Sequence, residues 1–99
     1  AFERGDSDAE EFARCFVARW RLDLAPAQFL ARFTGWSRCW LPGALPLLDA
    51  LRRRHRLACL SNSNPLHWER NLAVHRIAER FDLCLASHEL HALKPEPQI

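Results

Sequence analysis

A chain of 99 residues with 48% hydrophobic and 26% charged residues has the composition of one small globular domain or of part of one. Its net charge of +2 is too small to indicate a nucleic-acid partner. No apolar run is long enough for a membrane span and no signal peptide opens the chain, so we expect no membrane partner.

The cysteine content and the chain ends indicate the compartment and the extent of the chain. The four cysteines, at positions 15, 39, 59 and 84, lie too far apart for a zinc site or a dense disulfide framework. This spacing favours a reducing, cytoplasmic location. The chain has no methionine and stops at residues 94–99, where a new helix is expected to start. We therefore expect an internal fragment of a longer protein.

Two amphipathic helices are predicted within the first 40 residues. Ser7 and Glu10 have the spacing of a capping box, which predicts a helix from about Asp8 to Trp20. A second helix is expected to begin at Pro26, because proline is favoured at the first helical position. Aromatic residues recur at helical intervals in both segments and predict facing apolar stripes. They are Phe12, Phe16 and Trp20 in the first helix and Phe29, Phe33 and Trp36 in the second. We expect an antiparallel pair that forms a helical subdomain over residues 1–40.

Residues 41–99 have the pattern of part of a parallel α/β sheet. A third helix is expected first, and its inward face would carry Leu45, Leu48 and Leu51. Apolar strands follow at Leu57–Leu60 and Leu83–Ala86, with a helix from about Leu66 to Arg80 between them. Such a β-α-β unit implies a parallel pair with a right-handed crossover. The predicted class is therefore α/β, with a helical piece followed by an incomplete Rossmann-like core.

Polar turn residues follow the first predicted strand. Asn64 suits a helix N-cap because a proline comes next, and capping alone accounts for residues of this type at Ser61 and Asn62. The alternative is that the Ser61 hydroxyl and the Asn62 amide face an anion at the helix N-terminus. Lys94 follows the second strand, and parallel strands end at the same edge of a sheet. We therefore expect Ser61 and Lys94 to lie at one edge, and we call Ser61–Asn64 together with Lys94 the strand-end rim.

Three segments together resemble the haloacid dehalogenase-like (HAD) hydrolase superfamily. They are Leu57–Asn64, Ser87-His88-Glu89-Leu90 and Leu93-Lys94-Pro95-Glu96-Pro97. The chain is most similar to the branch of small sugar-phosphate phosphatases akin to glucose-1-phosphate phosphatase. In addition, Phe2-Glu3-Arg4-Gly5 with Glu10-Glu11-Phe12 resembles the start of that branch's helical cap.

The resemblance implies a fold and an activity. It implies a helical cap over residues 1–40 and part of a Rossmann-like core over residues 41–99. The implied enzyme is a magnesium-dependent phosphatase that acts on a small phosphate ester through an aspartyl-phosphate. Ser61 and Lys94 would be catalytic residues that stabilise the transferring phosphoryl group. Asn62 would join them in binding the phosphate or the substrate.

The sequence departs from the family pattern in two respects. The family's first motif is a strand that ends in Asp-x-Asp, and its fourth is an acidic pair that binds magnesium, but neither is present. We expect the nucleophile and the metal ligands to lie outside this chain, so that these 99 residues alone are inactive. In addition, His91 stands where the branch more often has glycine, which bears on the local loop geometry.

Other functional interpretations remain open. A dehalogenase of the same superfamily also attacks through an aspartate. A non-enzymatic helical interaction module could instead use the basic cluster Arg52–Arg56 and exposed tryptophans, although such a cluster is typical of a solvated helix end. Trp36 and Trp40 could line a substrate entrance or could pack in a core. A zinc site at His88 and His91 is disfavoured, because the pair lacks the spacing of H-E-x-x-H.

Overall fold

The computed structural model describes all of residues 1–99 and contains five α-helices and two strands. The helices are α1 (Ala9–Trp20), α2 (Pro26–Thr34), α3 (Ala44–Arg52), α4 (Pro65–Ala73) and α5 (Ser87–Leu90). The strands are β1 (Ala58–Ser61) and β2 (Leu83–Ala86), and short 3₁₀ turns lie at Phe2–Arg4 and Ile77–Glu79. None of the helices combines the length and the apolar character that crossing a bilayer would demand.

The first apolar cluster joins α1, α2 and the N-terminal turn. Phe2, Phe29 and Phe33 are buried in it, and Phe12 and Phe16 pack against them. Phe2 stacks on Phe12 with ring centroids 4.3 Å apart, and Phe16 stacks on Phe29 at 4.7 Å. Stacked aromatic pairs of this kind add about 0.5–1.5 kcal/mol each beyond the area that they bury. The predicted pairing of the two helices through aromatic faces is confirmed.

Two details of this region differ from the sequence prediction. The N-cap of α1 is Asp8, whose carboxylate accepts a hydrogen bond from the Glu11 amide at 2.7 Å, so the capping box at Ser7 and Glu10 was wrong by one residue. A carboxylate at this position also interacts favourably with the helix dipole. Trp20 and Trp36 are 64% and 59% exposed, because each lies at the end of its aromatic stripe, where no neighbouring element covers it.

The two strands form a parallel pair in the register Ala58–Leu83 to Ser61–Ala86. Asp82 fixes the start of the pair, because its carboxylate accepts from the Leu57 amide at 2.7 Å while its own amide donates to the Leu57 carbonyl at 2.8 Å. A second apolar cluster of Trp68, Ile77 and Ala86 covers the sheet, with Trp40 and both strand cysteines packed against it. The predicted β-α-β unit and the α/β class are confirmed.

The helix between the strands is shorter than predicted. It ends at Ala73 rather than near Arg80, and the chain passes through a left-handed residue at Arg76 before the 3₁₀ turn. Tertiary hydrogen bonds account for this break. The indole N–H of Trp40 donates to the His75 carbonyl at 3.2 Å, and the His75 ring nitrogen Nε2 donates to the Ser37 carbonyl at 3.0 Å. These bonds hold residues after Ala73 in positions that a continuing helix would not give them.

The third helix also departs from its prediction. No residue of α3 is buried, and Leu51, expected on an inward face, is 37% exposed. The helix is fixed at its end by polar contacts: Arg80 pairs with Asp49 at 2.6 Å, and Arg52 donates to the Glu79 carbonyl. The division of the chain at residue 40 stays a prediction.

Candidate active site

The strand-end rim begins where β1 ends, at Ser61. Asn64 caps α4, because its Oδ1 accepts from the His67 amide at 3.1 Å, and Pro65 occupies the first helical position. The predicted N-cap is therefore confirmed. A cap of this type contributes about 1 kcal/mol and fixes where the helix starts. It also places the N-terminus of α4 at the same edge as the end of β1.

Lys94 lies at this edge although it is far away in sequence. Its backbone N–H donates to Asn62 Oδ1 at 2.8 Å, and its carbonyl accepts from Asn62 Nδ2 at 3.0 Å. The Lys94 ammonium donates to the Leu60 carbonyl at 2.6 Å. Ser61 lies in the chain between Leu60 and Asn62, the two residues that Lys94 contacts. Its hydroxyl makes only a long contact of 3.4 Å to the Asn62 carbonyl. The structure thus brings Ser61, Asn62 and Lys94 together.

The side chain of Asn62 is hydrogen-bonded to the Lys94 loop. Its amide nitrogen and oxygen are both hydrogen-bonded to the backbone of Lys94, so the side chain pairs with Lys94 as a peptide group would. In this arrangement Asn62 positions the loop that carries Lys94. The Lys94 charge also acts on a neighbour: burial raises the pKa of the Cys59 thiol, and the nearby ammonium of Lys94 partly opposes this rise.

Sequence reasoning did not identify the pairing of Glu96 with Arg4, which supports the Lys94 loop. Glu96 accepts from the Leu93 amide through one oxygen at 2.9 Å and from the Arg4 guanidinium through the other. His91 has a left-handed backbone with φ of 52°, and its ring Nδ1 lies 3.1 Å from the Arg4 carbonyl. A left-handed position explains why glycine would suit it. No local pattern could have paired Arg4 with Glu96, because 92 positions separate them.

Ser87 joins the rim to the N-terminal turn. Its side chain is fully buried, and its hydroxyl accepts from the Ser63 amide at 2.9 Å. The same hydroxyl has one hydrogen to donate, either to the Glu3 carbonyl at 2.6 Å or to the Ser63 carbonyl at 3.0 Å. The contact is close, since a Cβ at Gly5 would lie 2.4 Å from the His88 carbonyl oxygen. Residues 3–5 are therefore held directly against the end of β2.

His67 joins the rim to α2. Asn64 Nδ2 only donates, so the His67 ring nitrogen Nδ1 at 3.1 Å accepts. The ring hydrogen then lies on Nε2, which donates to the Phe33 carbonyl at 2.6 Å. The imidazole also stacks on the Phe33 ring, with centroids 4.3 Å apart. The start of α4 is thereby fixed to the aromatic cluster of the helical region.

A cavity of about 440 Å³ opens between this helical region and the strand-end rim. We call it the interface cavity. The rim side contributes Asn64 and Leu93, which are close in sequence to Asn62 and Lys94. The other side consists mainly of residues from the N-terminal turn and α1.

The chain has a mixed α/β fold in which two parallel strands end at the strand-end rim, and this fold is found in solved structures. Two solved structures of a HAD family enzyme from Bacteroides thetaiotaomicron, the wild-type protein and an aspartate-to-alanine mutant, are similar to this chain, each with a TM-score of 0.77. Both are complexes with magnesium and inorganic phosphate. Sequence identity is 24% to the wild-type protein and 23% to the mutant, and the matches cover 98% of this chain.

These matches confirm the predicted fold class, a mixed α/β fold that corresponds to part of a HAD chain. The chain spans about half the length of the two structures, 52% of the wild-type chain and 53% of the mutant chain. Neither a scan against protein-family models nor a search of curated proteins gave a match.

Proposed function

We propose that the full-length protein that contains residues 1–99 is a HAD-like phosphatase. In this proposal an aspartate outside these residues attacks the phosphorus of a small phosphate ester, the alcohol leaves, and water hydrolyses the aspartyl-phosphate. The observation that carries the proposal is the ammonium of Lys94 at the carboxyl end of β1, held there through Asn62. The magnesium and phosphate in the two structures of similar fold support the extension to phosphate chemistry.

The roles of the rim residues follow from their charge and position. The Ser61 hydroxyl makes no strong internal hydrogen bond and is free to donate to a phosphoryl oxygen. The Lys94 ammonium would stabilise the negative charge of the transferring group. A charge pair about 4 Å apart at an effective dielectric near 20 gives about 4 kcal/mol, which corresponds to roughly a thousandfold in rate. Asn62 would act through Lys94 as a positioning residue.

The proposal places the magnesium site outside residues 1–99. They contain no group of three or more His, Cys, Asp or Glu side chains placed to hold a metal ion. Magnesium prefers carboxylate oxygens, so in this proposal its ligands belong to another part of the full-length protein.

The test is phosphate release from a phosphate ester by the full-length protein with and without magnesium. We expect Lys94→Ala to lower kcat/KM about 10²- to 10³-fold and Ser61→Ala to lower it about 10- to 100-fold. Arg53→Ala is the matched control, because Arg53 is an exposed cation at the end of α3 and should leave the rate unchanged. Wild-type rates in the Ser61 and Lys94 variants would refute the site assignment.

Two further measurements separate this proposal from its alternatives. Halide release from a short haloacid without phosphate release would favour a dehalogenase, and no turnover of either substrate would favour a non-enzymatic module. We also propose that residues 1–99 by themselves are inactive, since no nucleophile is assigned to them. Phosphate release by purified residues 1–99 would contradict this assignment.

A further inference from the structure

The turn that carries Lys94 is closed by the residues on either side of it. The Glu96 amide donates to the Leu93 carbonyl at 2.6 Å, and one oxygen of the Glu96 carboxylate accepts from the Leu93 amide at 2.9 Å. Lys94 lies inside this turn, and Glu96 is the acidic residue closest to it in sequence. Long side chains that leave the same tight turn can meet, so the Glu96 carboxylate is a competitor for the Lys94 ammonium.

The structure shows both charges with other partners. The Lys94 ammonium forms no ion pair and donates to the Leu60 carbonyl. The second oxygen of the Glu96 carboxylate is bound by the guanidinium of Arg4. The side chains of Arg4 and Glu96 are 36% and 28% exposed, so their attraction is screened less than that of a fully solvated pair. A distant cation thus neutralises the acid beside Lys94.

Arg4 is held in place by the backbone of the N-terminal turn. The Arg4 carbonyl accepts from the His91 ring nitrogen Nδ1 at 3.1 Å, and the Glu3 carbonyl lies 2.6 Å from the hydroxyl of the buried Ser87. Neither contact uses the Arg4 side chain. A substitution that truncates this side chain therefore removes the ion pair with Glu96 and leaves the docking of the turn in place.

We propose that Arg4 is a positioning residue of the candidate active site: by binding Glu96, it keeps that carboxylate away from Lys94 and leaves the ammonium free for the phosphoryl group. The inference rests on the proposed phosphatase function. Asn62 already fixes the Lys94 backbone, so Arg4 decides only which partner the ammonium takes. A carboxylate attracts an ammonium more strongly than a neutral carbonyl does. Without Arg4, the ammonium would turn from the end of β1 to Glu96.

The experiment measures magnesium-dependent phosphate release from phenyl phosphate by the full-length protein. We expect Arg4→Ala to lower kcat/KM about 3- to 10-fold, because a part-exposed ion pair shifts the position of the ammonium by about that factor. Adding Glu96→Gln to Arg4→Ala should restore kcat/KM to within about twofold of wild type, since the glutamine oxygen can still accept from the Leu93 amide but carries no charge. Arg4→Lys keeps the positive charge and should also stay within about twofold of wild type.

Arg80→Ala is the matched control. It removes an arginine whose side chain is 33% exposed from an ion pair with Asp49, near the start of β2 rather than its end, and it should leave kcat/KM unchanged. Binding of inorganic phosphate in the presence of magnesium, followed by calorimetry, gives a readout without turnover. It should weaken in Arg4→Ala and recover in the double variant with Glu96→Gln.

Two results would overturn the inference while leaving the phosphatase proposal intact. One is an unchanged kcat/KM in Arg4→Ala. The other is a loss that Glu96→Gln does not recover, since Arg4 would then contact the substrate directly or only stabilise the fold. Failure of wild type to release phosphate from phenyl phosphate and from a set of sugar phosphates would overturn the phosphatase proposal, and the inference with it.

Discussion

Replacement of Asn62 by alanine tests whether this residue acts through Lys94. The side chain makes two hydrogen bonds to the Lys94 backbone, at 2.8 and 3.0 Å. Each such bond contributes about 0.5–1.5 kcal/mol net, and both are exposed, so we take about 1–2 kcal/mol for the pair. Their loss would shift the loop away from the geometry that places the ammonium at β1. A loss of about 1–2 kcal/mol lowers the population of the loop conformation that places the ammonium correctly, and with it kcat/KM, about 5- to 30-fold.

The assay is magnesium-dependent phosphate release by four full-length proteins: wild type, Asn62→Ala, Lys94→Ala and the double variant. If Asn62 serves only to place Lys94, then Asn62→Ala should have little further effect once the ammonium is gone. Asn71→Ala is the matched control, since it removes an asparagine hydrogen-bonded to Ser37 at 2.5 Å, away from the rim. It should change stability without changing the rate.

Two results would refute this reasoning. Multiplicative losses in the double variant would mean that Asn62 contacts the substrate directly, as the sequence suggested. An unchanged rate in Asn62→Ala would mean that the Lys94 loop is held by other contacts, of which the Glu96 bond to the Leu93 amide is the strongest candidate. Thermal unfolding of each variant, followed by circular dichroism, checks that a lost rate is not lost structure.

Three other predictions concern stability and thiol chemistry. Ser87→Ala should lower the free energy of unfolding by about 2–3 kcal/mol in urea titrations, because the buried Ser63 amide loses its partner; a loss below about 0.5 kcal/mol would show that water replaces the hydroxyl. Asp8→Ala should cost about 1 kcal/mol and Ser7→Ala almost nothing, whereas the reverse order would restore the original capping prediction. The Cys59 thiol should be alkylated only at higher pH than an exposed cysteine, because burial raises its pKa. Lys94→Ala should shift the pH profile of alkylation higher still, and an unshifted profile would contradict the influence of the Lys94 charge on Cys59. Because the folded pKa of Cys59 lies above the unfolded value of about 8.5, its contribution to stability is complete below that pH and is lost as the pH rises through the folded pKa.

Local sequence patterns were sufficient for the elements themselves. The aromatic spacing of Phe12, Phe16, Phe29 and Phe33 placed two helices against each other, since a helical period of 3.6 residues leaves only one face apolar. The short apolar runs before Ser61 and after Asp82 became parallel strands, and Asn64 became the N-cap of α4. Each of these outcomes depends on residues within one or two turns of each other.

Tertiary structure decided the contacts between distant residues and the helix ends that depend on those contacts. The end of α4 at Ala73 depends on two hydrogen bonds with distant residues: the Trp40 indole donates to the His75 carbonyl, and the His75 ring donates to the Ser37 carbonyl. The sequence of α4 itself does not predict either bond. Trp36 fits a helical stripe, but its exposure was set by the lack of a covering element.

The sequence by itself determined which residue types stand at the end of β1 and in the loop that follows β2. Only the folded chain decided what those side chains contact. The Asn62 side chain is bonded to the Lys94 backbone, a contact that the sequence did not predict, while Arg4 and Glu96 support the same loop from opposite ends of the chain. The physical reason is that a hydrogen bond depends on positions in space, and only packing brings residues more than 30 positions apart within 3 Å of each other.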